Sequence, residues 1–235
     1  MSSLDLVVIG GGSGGLACAQ RAVEYGARVA LLEPNPLGGT CVNVGCVPKK
    51  VMFNAASLAH GLEDAREYGF DVAVGGHDWA ALKRGRDAYV ARLNGIYEAN
   101  LARKGIEWIR DHGRFVDAHS VAAGARVLNA PHVVVATGGR PVVPAIPGAG
   151  LGITSDGFFA LTERPARVAV VGSGYIAVEL AGMFAALGSA VTVAVRHDRV
   201  LRHFDTMLSD ALMTEMRADG IAIVDQAVPA ALRRV

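Results

Sequence analysis

Two glycine-rich turns of the same design constrain the fold of this chain more than any other feature. The first occupies residues 10–15 and the second begins at Gly172, and each directly follows an apolar run. After each turn comes an alanine-containing segment that ends at a glycine, Gly26 or Gly188, and then another apolar run. This order predicts two strand–helix–strand (βαβ) units. Their predicted elements are strand Leu4–Ile9, a helix to about Tyr25 and strand Arg28–Glu33, then strand Arg167–Val171, a helix to about Leu187 and strand Ala190–Arg196.

The remaining segments predict further helices and short strands. The predicted helices are Cys41–His60, Asp78–Lys104 and Thr206–Ala218, and the predicted strands are Ile106–Ile109, Arg114–Val116, Arg126–Leu128, His132–Ala136 and Ile221–Val224. Alternating strands and helices indicate an α/β protein with doubly wound parallel sheets. We therefore predict two Rossmann-like nucleotide-binding domains, the second incomplete because only three strands precede the end of the chain. Proline-rich segments at 141–147 and 163–165 place the boundary between domains 1–162 and 163–235.

Composition excludes several classes of protein. The 23 basic and 22 acidic residues nearly cancel, which gives no reason to expect binding to nucleic acid or to an anionic membrane surface. The longest apolar runs are far shorter than the roughly 18 to 20 residues of a membrane span. The N-terminus has no basic region ahead of its apolar run, so we expect no secretory signal and a cytoplasmic protein. Three cysteines are an odd number and do not predict a disulfide framework.

The spacing of Gly10, Gly12 and Gly15 fits a turn that binds a dinucleotide. The first glycine permits a tight turn, the second allows a pyrophosphate to approach the backbone, and the third allows the helix to pack closely on the strand. The phosphates would then lie at the positive N-terminus of the helix. Glu33 ends the next predicted strand, where a carboxylate can accept hydrogen bonds from an adenosine ribose. The alternative is an ordinary glycine turn.

The second turn is followed by basic residues where an acid would otherwise stand. Arg196, His197, Arg199 and Arg202 come at and after the end of the second strand. A carboxylate would repel a 2′-phosphate, whereas guanidinium groups bind one through charge-assisted hydrogen bonds. The pattern therefore predicts NADPH rather than NADH, the alternative being a solvated basic turn.

Cys41 and Cys46 are a close cysteine pair with four residues between them. On an ideal helix they would be about 7.5 Å apart along the axis and face directions about 140° apart, which a disulfide does not favour. We therefore expect a distorted helix here, with Asn43 and Gly45 providing a turn in which a reducible bridge can form. The alternatives are two reduced structural thiols or half of a metal site. Cys18, within the first helix, is predicted to be a small core residue.

The run GGTCVNVGCVPKK, residues 38–50, resembles the active-site stretch of the flavoprotein disulfide reductases. Thioredoxin, mercuric and lipoamide reductases share the cysteine frame, but further stretches are similar to members that reduce glutathione disulfide. Those stretches are Arg86–Val90 with Arg92–Asn94, Ser155–Phe159, Gly174–Glu179, and Arg196–Asp198 with Leu201 and Arg202.

This resemblance implies NADPH-dependent reduction of glutathione disulfide, with FAD bound by the first domain and NADPH by the second. It implies that Cys46 lies next to the flavin and that Cys41 exchanges with the substrate. The implied flavin contacts are Gly10, Gly12, Ser13, Gly14, Gly15, Glu33, Thr40, Cys41, Lys49, Gly113 and Gly138. The implied NADPH contacts are Gly172, Ser173, Gly174, Tyr175, Ile176, Glu179, Arg196 and Arg202.

The resemblance also implies an ion pair and a substrate site. Lys49 and Glu179 match an ion pair near the reactive flavin nitrogen, where a cation stabilises charge on the reduced ring. Ser13 and Tyr97 match substrate contacts, Tyr97 having helix packing as its alternative role. Gln20 stands where some members have an arginine that helps bind the substrate, and the adjacent Arg21 is a candidate replacement. No metal site is implied.

Family members continue into a dimerisation domain whose His-Pro motif supplies the general acid. None of the seven histidines here is followed by proline. We therefore expect a homodimer for the full-length family member, a truncated chain in this case, and impaired turnover of this chain alone. Two alternatives remain: a nucleotide-binding fragment without turnover, and a reductase of another disulfide such as thioredoxin.

Overall fold

The structure is a computed structural model that describes residues 4–234. It divides into two compact units, Met1–Lys49 with Arg86–Arg140, and Lys50–Gly85 with Pro141–Val235. These units are defined by packing, whereas the boundary between the predicted domains 1–162 and 163–235 was placed at proline-rich segments of the sequence. The predicted domains stay a prediction.

The first unit contains seven strands and two helices, α1 and α2, that lie wholly within it. Two longer helices have residues in both units. In chain order the elements are β1 Leu6–Ile9, α1 Ser13–Glu24, β2 Val29–Leu32, α2 Gly39–Asn43, α3 Cys46–Asp64, α4 Trp79–Arg103, β3 Glu107–Ile109, β4 Gly113–Phe115, β5 Ser120–Ala123, β6 Arg126–Asn129 and β7 His132–Val135. The long helices are α3 and α4.

A four-stranded parallel sheet, in the order β3-β2-β1-β7, forms the centre of the first unit. All four residues of β1 and all four of β2 are buried. Successive side chains of a strand point to opposite faces. Leu6 and Val8 accordingly pack with Leu16 of α1 on one face, while Val7 and Ile9 join a separate cluster on the other.

The second face of this sheet is covered by a three-stranded antiparallel sheet in the order β4-β5-β6. Its buried residues Val121, Ala123 and Leu128 pack against the cluster that contains Val7 and Ile9. Both faces of the parallel sheet are therefore covered, which explains why β1 reads as a continuous apolar run rather than an alternating one.

The second unit is built on a three-stranded parallel sheet in the order β10-β9-β8. Its elements are a 3-10 helix Ala149–Leu151, α5 Ser155–Ala160, β8 Arg167–Val171, α6 Tyr175–Ala186, β9 Ala190–Ala194, α7 Thr206–Ala218 and β10 Ala222–Val224. Val191 and Val193 of the central strand β9 are buried. Trp79 stacks on Phe184 with ring centroids 5.8 Å apart and meets Phe158 edge-on, so a packed aromatic cluster lies in this unit.

The α/β class and the parallel sheets confirm the predicted fold. The helix predicted over Cys41–His60 is present but interrupted, since two helices, α2 and α3, occupy this region. Strand β5 and helix α5 were not predicted from the sequence.

Within residues 4–234, no helix is both long and apolar enough to cross a membrane.

Candidate functional site

The first glycine-rich turn connects β1 to α1 and lies close to the end of β7. Gly10 has φ +115°, a left-handed conformation that favours glycine, and its N–H donates to the Leu32 carbonyl at 2.8 Å. A Cβ at Gly10 would collide with the Ala136 carbonyl group, and one at Gly15 would collide with the Gly10 carbonyl oxygen. The tight turn and the close helix–strand approach predicted from the glycine spacing are therefore both present.

The start of α1 fits a phosphate group. Gly12 is the N-cap of this 12-residue helix and provides no side-chain cap, so the first N–H groups of the helix keep their hydrogen-bonding capacity. A Cβ at Gly14 would meet no atom within 4 Å, which means that space is open on this side of the turn. On the other side, a Cβ at Gly12 would lie 3.6 Å from the Cα of Gly39. These features form a glycine-lined cradle beside a helix N-terminus, as a pyrophosphate requires.

Glu33 follows β2 and is oriented by backbone N–H groups. Its Oε2 accepts from the Gly11 N–H and its Oε1 from the Asn35 N–H, both at 2.9 Å. The Trp108 indole N–H donates to the Glu33 carbonyl oxygen at 3.0 Å and holds the backbone. Each carboxylate oxygen has a further lone pair, so Glu33 can still accept hydrogen bonds from ribose hydroxyls.

The helix that carries the two cysteines is broken between them. Helix α2 ends at Asn43 and α3 begins at Cys46. A Cβ at Gly45 would lie only 2.7 Å from the Thr40 carbonyl oxygen, so the chain can turn this closely only with glycine. The predicted distortion is confirmed, and it brings Cys46 back toward Cys41 instead of leaving it on the far side of a continuous helix.

The Cys41 thiol lies in contact with two other groups of the site. It is half-buried, whereas Cys46 is exposed, and both are free thiols. Burial raises the pKa of Cys41, and the neighbouring Cys46 thiol raises it further. Hydrogen bonds from the Cys46 backbone N–H and the Ser13 hydroxyl favour the thiolate and act in the opposite direction. The two cysteines and the first residue of α1 therefore form one cluster beside the glycine-rich turn.

This cluster predicts the pH dependence of Cys41 alkylation. Because its pKa is raised, Cys41 should reach half its limiting rate with iodoacetamide at a pH above that of a free cysteine. The Cys46→Ala variant removes the thiol that raises the pKa of Cys41 and keeps the backbone N–H that lowers it. The pH at which Cys41 alkylation reaches half its limiting rate should therefore fall. Mass spectrometry of the Cys41 peptide measures the rate, and Cys18→Ala is the control. A half-maximal pH that does not fall in Cys46→Ala would contradict the prediction.

The other positions implied as flavin contacts lie on several elements of the first unit. Thr40 is exposed on α2, and the Lys49 N–H donates to the Gly45 carbonyl oxygen in the first turn of α3. Gly138 follows β7 with φ +68°. Gly113 has a packing role, since a Cβ there would lie 3.0 Å from side-chain atoms of Ile9 and Leu32.

Sequence reasoning missed the two glycines that begin the cysteine segment. Gly38 has φ +104° and Gly39 φ +59°, so both adopt the left-handed conformation. A Cβ at Gly39 would lie 2.6 Å from the Cα of Gly12, and the Gly38 N–H donates to the Gly11 carbonyl oxygen at 2.9 Å. The adjacent Gly-Gly pair was the available signal, because two glycines in sequence mark a backbone that other residues cannot follow.

The second glycine-rich turn, in the second unit, repeats the geometry of the first. Gly172 has φ +144°, and its N–H donates to the Ala194 carbonyl oxygen at 3.0 Å. A Cβ at Gly174 would meet nothing within 4 Å. Tyr175 and Ile176, in the first turn of α6, are 62% and 45% exposed, so two large side chains are available at this helix N-terminus. In the same helix Glu179 is half-buried, and its implied pairing with Lys49 stays a prediction.

The basic residues after β9 differ in their partners. Arg199 forms ion pairs with Asp198 at 3.0 Å and Asp210 at 3.5 Å. The Arg196 Nε donates to the His197 Nε2 at 3.3 Å, and Arg202 is exposed. Over residues 4–234 no carboxylate forms an ion pair with Arg196 or Arg202, so both guanidinium groups can accept an anion.

The backbone of this basic segment is tied to the glycine-rich turn. The Leu201 N–H donates to the Ser173 carbonyl oxygen at 2.7 Å, and the Leu201 carbonyl accepts from the buried Ser209 hydroxyl at 3.2 Å. The first bond holds the backbone of Leu201, which precedes Arg202, beside the second turn, and the second bond connects Leu201 to α7.

The residues implied as substrate contacts have structural partners. Tyr97 of α4 packs partly buried against the core cluster of the first unit, and its role toward a substrate stays a prediction. Gln20 donates to the Leu16 carbonyl of its own helix at 3.2 Å. Arg21 bonds to Glu24 at 2.7 Å and to the Tyr25 hydroxyl at 2.9 Å. Arg21 is therefore directed along the surface of α1, which gives no support to its replacing an arginine at position 20.

The sequence model of the family described as pyridine nucleotide-disulphide oxidoreductase matches residues 4–234. The chain belongs to this family. Glutathione reductase of Schizosaccharomyces pombe is 50% identical to it over 228 residues, which are 93% of this chain and 49% of that protein. Glutathione reductase of Yarrowia lipolytica is 49% identical over 234 residues, 94% of this chain and 50% of that protein. The chain thus spans about half the length of the curated relatives it matches.

Two solved structures of a flavoprotein disulfide reductase are similar to this chain over nearly its whole length. The HOCl-induced flavoprotein disulfide reductase RclA from Escherichia coli superposes in its Cu(II) complex with a TM-score of 0.86 at 28% identity, covering 98% of this chain and 51% of that one. A second structure of RclA gives a TM-score of 0.84 at 29% identity, covering 97% of this chain and 50% of that one. Glutathione reductases and flavoprotein disulfide reductases are enzymes that use FAD and NADPH.

Proposed function

We propose that this chain is part of an NADPH-dependent flavoprotein that reduces glutathione disulfide through a Cys41–Cys46 dithiol. Residues 1–162 would bind FAD and residues 163–235 would begin the NADPH-binding domain. The observation that carries the proposal is the cluster of the Cys41 thiol with Cys46 and Ser13, beside a turn that fits a dinucleotide pyrophosphate. The identity of about half of the aligned residues to two glutathione reductases supports the choice of substrate.

The residues of the first unit would orient FAD in a defined way. The N–H groups at the start of α1, from Ser13 onward, would bind its pyrophosphate, and Glu33 would accept from its adenosine ribose. Bound FAD would supply two-electron transfer between NADPH and the dithiol. Lys49 and Glu179 would form an ion pair whose cation stabilises negative charge on the reduced ring.

The two cysteines would carry out the disulfide exchange. Reduction of the Cys41–Cys46 bond by two electrons and two protons gives two thiols. The Cys41 thiolate would attack one sulfur of glutathione disulfide and release one glutathione, and Cys46 would then displace the second and restore the bond. Exposure alone would favour Cys46 for the first attack. The raised pKa of Cys41 does not favour it either, so the assignment of the first attack to Cys41 rests on the resemblance to the family.

The remaining elements of the proposal concern the whole protein. Ser13 and Tyr97 would contact the substrate. A full-length form would be a cytoplasmic homodimer in which the general acid comes from residues outside this chain, so we expect little turnover from the 235 residues alone.

An anaerobic titration with NADPH tests the proposal. The purified chain, loaded with FAD, should develop a long-wavelength thiolate-to-flavin charge-transfer band as the dithiol is reduced. We expect Cys46→Ser to lose this band, because Cys46 is the thiol that we propose lies next to the ring, while Cys41→Ser and the control Cys18→Ser keep one. An identical band in Cys46→Ser and the unmodified chain would refute the proposed role of Cys46.

A further inference from the structure

The side chain of Asn43 closes the cysteine segment onto its own backbone. Its Nδ2 lies 2.9 Å from the Gly39 carbonyl oxygen and 3.2 Å from those of Pro36 and Leu37. All three neighbours are acceptors, so the amide nitrogen must face them. The amide nitrogen has two N–H groups for three carbonyl oxygens, so at least one N–H is shared between two of these oxygens. Hydrogen bonds thereby connect the backbone that precedes Cys41 to Asn43, two residues after Cys41.

Asn94 fixes this arrangement from a different element. It lies on α4, 51 residues along the chain from Asn43. Its Nδ2 donates to the Leu37 carbonyl oxygen at 2.7 Å and to the Asn43 Oδ1 at 3.0 Å. The Asn94 amide uses both of its N–H bonds here, and the Asn43 amide is oriented by accepting one of them.

The segment needs such donors because of its conformation. Gly38 and Gly39 are both left-handed, and this turns successive carbonyl groups away from the regular hydrogen bonds of a helix or sheet. Without the two amides, the carbonyl of Leu37, a residue that is fully buried, would lose both of the side-chain donors described above. The position of Cys41 relative to Cys46 depends on this same short stretch, because Cys41 lies within α2 between Gly39 and Asn43.

We propose that Asn94 and Asn43 are positioning residues for the dithiol, which hold the Cys41 sulfur beside Cys46 and thereby favour the disulfide over the open dithiol. The inference rests on the proposed function. Holding two reacting groups together raises their effective concentration, so it stabilises the product that joins them. The reaction is exchange with glutathione disulfide. One bond forms between the protein sulfurs as the S–S bond of glutathione disulfide breaks, and the two electrons and two protons lost by the protein dithiol are taken up as two glutathione thiols.

The equilibrium of this exchange is the test. The full 235-residue chain is brought to equilibrium in buffers of reduced and oxidised glutathione, quenched with acid, alkylated and analysed by mass spectrometry for the Cys41–Cys46 link. In Asn94→Ala the equilibrium constant for oxidation should fall about tenfold, which corresponds to a potential about 30 mV less negative. Asn43→Ala should shift it in the same direction, and the double variant by less than the product of the two single effects, because both act on one network.

A neighbouring asparagine provides the control. Asn100 lies on the same helix, and its Oδ1 accepts from Arg103 at 2.7 Å on the protein surface. Asn100→Ala should keep the equilibrium constant of the unmodified chain. Asn94→Asp, of nearly equal volume but without the donor, repeats the test at constant packing and should shift the constant at least as far as Asn94→Ala.

The outcomes separate this inference from the proposed function. If the unmodified chain forms no Cys41–Cys46 link at any glutathione ratio, the proposed function itself is refuted. If the link forms with an unchanged equilibrium constant in a folded Asn94 variant, only the inference is overturned. Loss of folding in both Asn94 variants, read by circular dichroism, would assign the asparagines to the fold alone and would also overturn it.

Discussion

The Gly15→Ala variant is expected to be strongly destabilised. A Cβ at Gly15 would collide with the Gly10 carbonyl oxygen and lie 3.2 Å from a methyl group of Val8, a buried residue of the central strand. Neither the backbone of the turn nor the strand can move aside without breaking the sheet. We expect the free energy of unfolding to fall by about 3 kcal/mol or more, at or above the upper end of the usual cost of overpacking. Urea denaturation followed by circular dichroism measures it.

The adjacent glycine is a matched control for this prediction. A Cβ at Gly14 would meet no atom within 4 Å, and Gly14 lies in the first turn of α1. Alanine is preferred to glycine in helices, so Gly14→Ala should be neutral or stabilising by about 0.5 kcal/mol in the chain without cofactor. Equal denaturation midpoints for the two variants would contradict the close packing of α1 on β1.

The second large effect is expected on the choice of nicotinamide cofactor. Arg196 and Arg202 have no carboxylate partner among residues 4–234, and hydrogen bonds to charged groups contribute about 1.5 to 3 kcal/mol. Changing each to glutamine should raise the Kd for NADPH about tenfold or more, and changing both about 100-fold. The Kd for NADH should change little, because NADH has no 2′-phosphate. Fluorescence titrations with both cofactors make this comparison.

Arg199 offers the control for this pair of arginines. It already bonds to Asp198 and Asp210, which neutralise its charge locally. Arg199→Gln should therefore affect NADPH binding less than either of the other two changes. The preference for NADPH should also weaken as ionic strength rises, since the groups are exposed. Equal losses of NADPH and NADH affinity in the double variant would contradict the 2′-phosphate role.

The fold was predictable where local pattern and packing demand the same structure. Residues 10–15 have an apolar run before them and a glycine-stopped helix after them, and the observed turn has the predicted tight geometry. The strand Ser120–Ala123 was missed because its pairing with β4 and β6 depends on partners that no short segment reveals. Helix α5, Ser155–Ala160, was missed because six residues are too few to show a helical period.

The site was predictable in its chemistry and less so in its supports. A continuous ideal helix would keep Cys41 and Cys46 apart, whereas a disulfide needs them close together. The observed break in the helix around Gly45 satisfies this need. The role of Asn94 could not be predicted, although it lies in a stretch that resembles the family. Its partners are a carbonyl group and an amide more than fifty residues earlier, and only the tertiary structure brings them within hydrogen-bonding distance.

The most direct measurement of the central claim counts thiols at two positions. The FAD-loaded chain is oxidised with glutathione disulfide, freed of it, and treated anaerobically with NADPH, and alkylation with mass spectrometry then reports on Cys41 and Cys46. We predict that the two sulfurs are linked before NADPH is added and that both are alkylated as free thiols afterwards. Sulfurs that never link, or a link that persists while the flavin is reduced, would contradict the account.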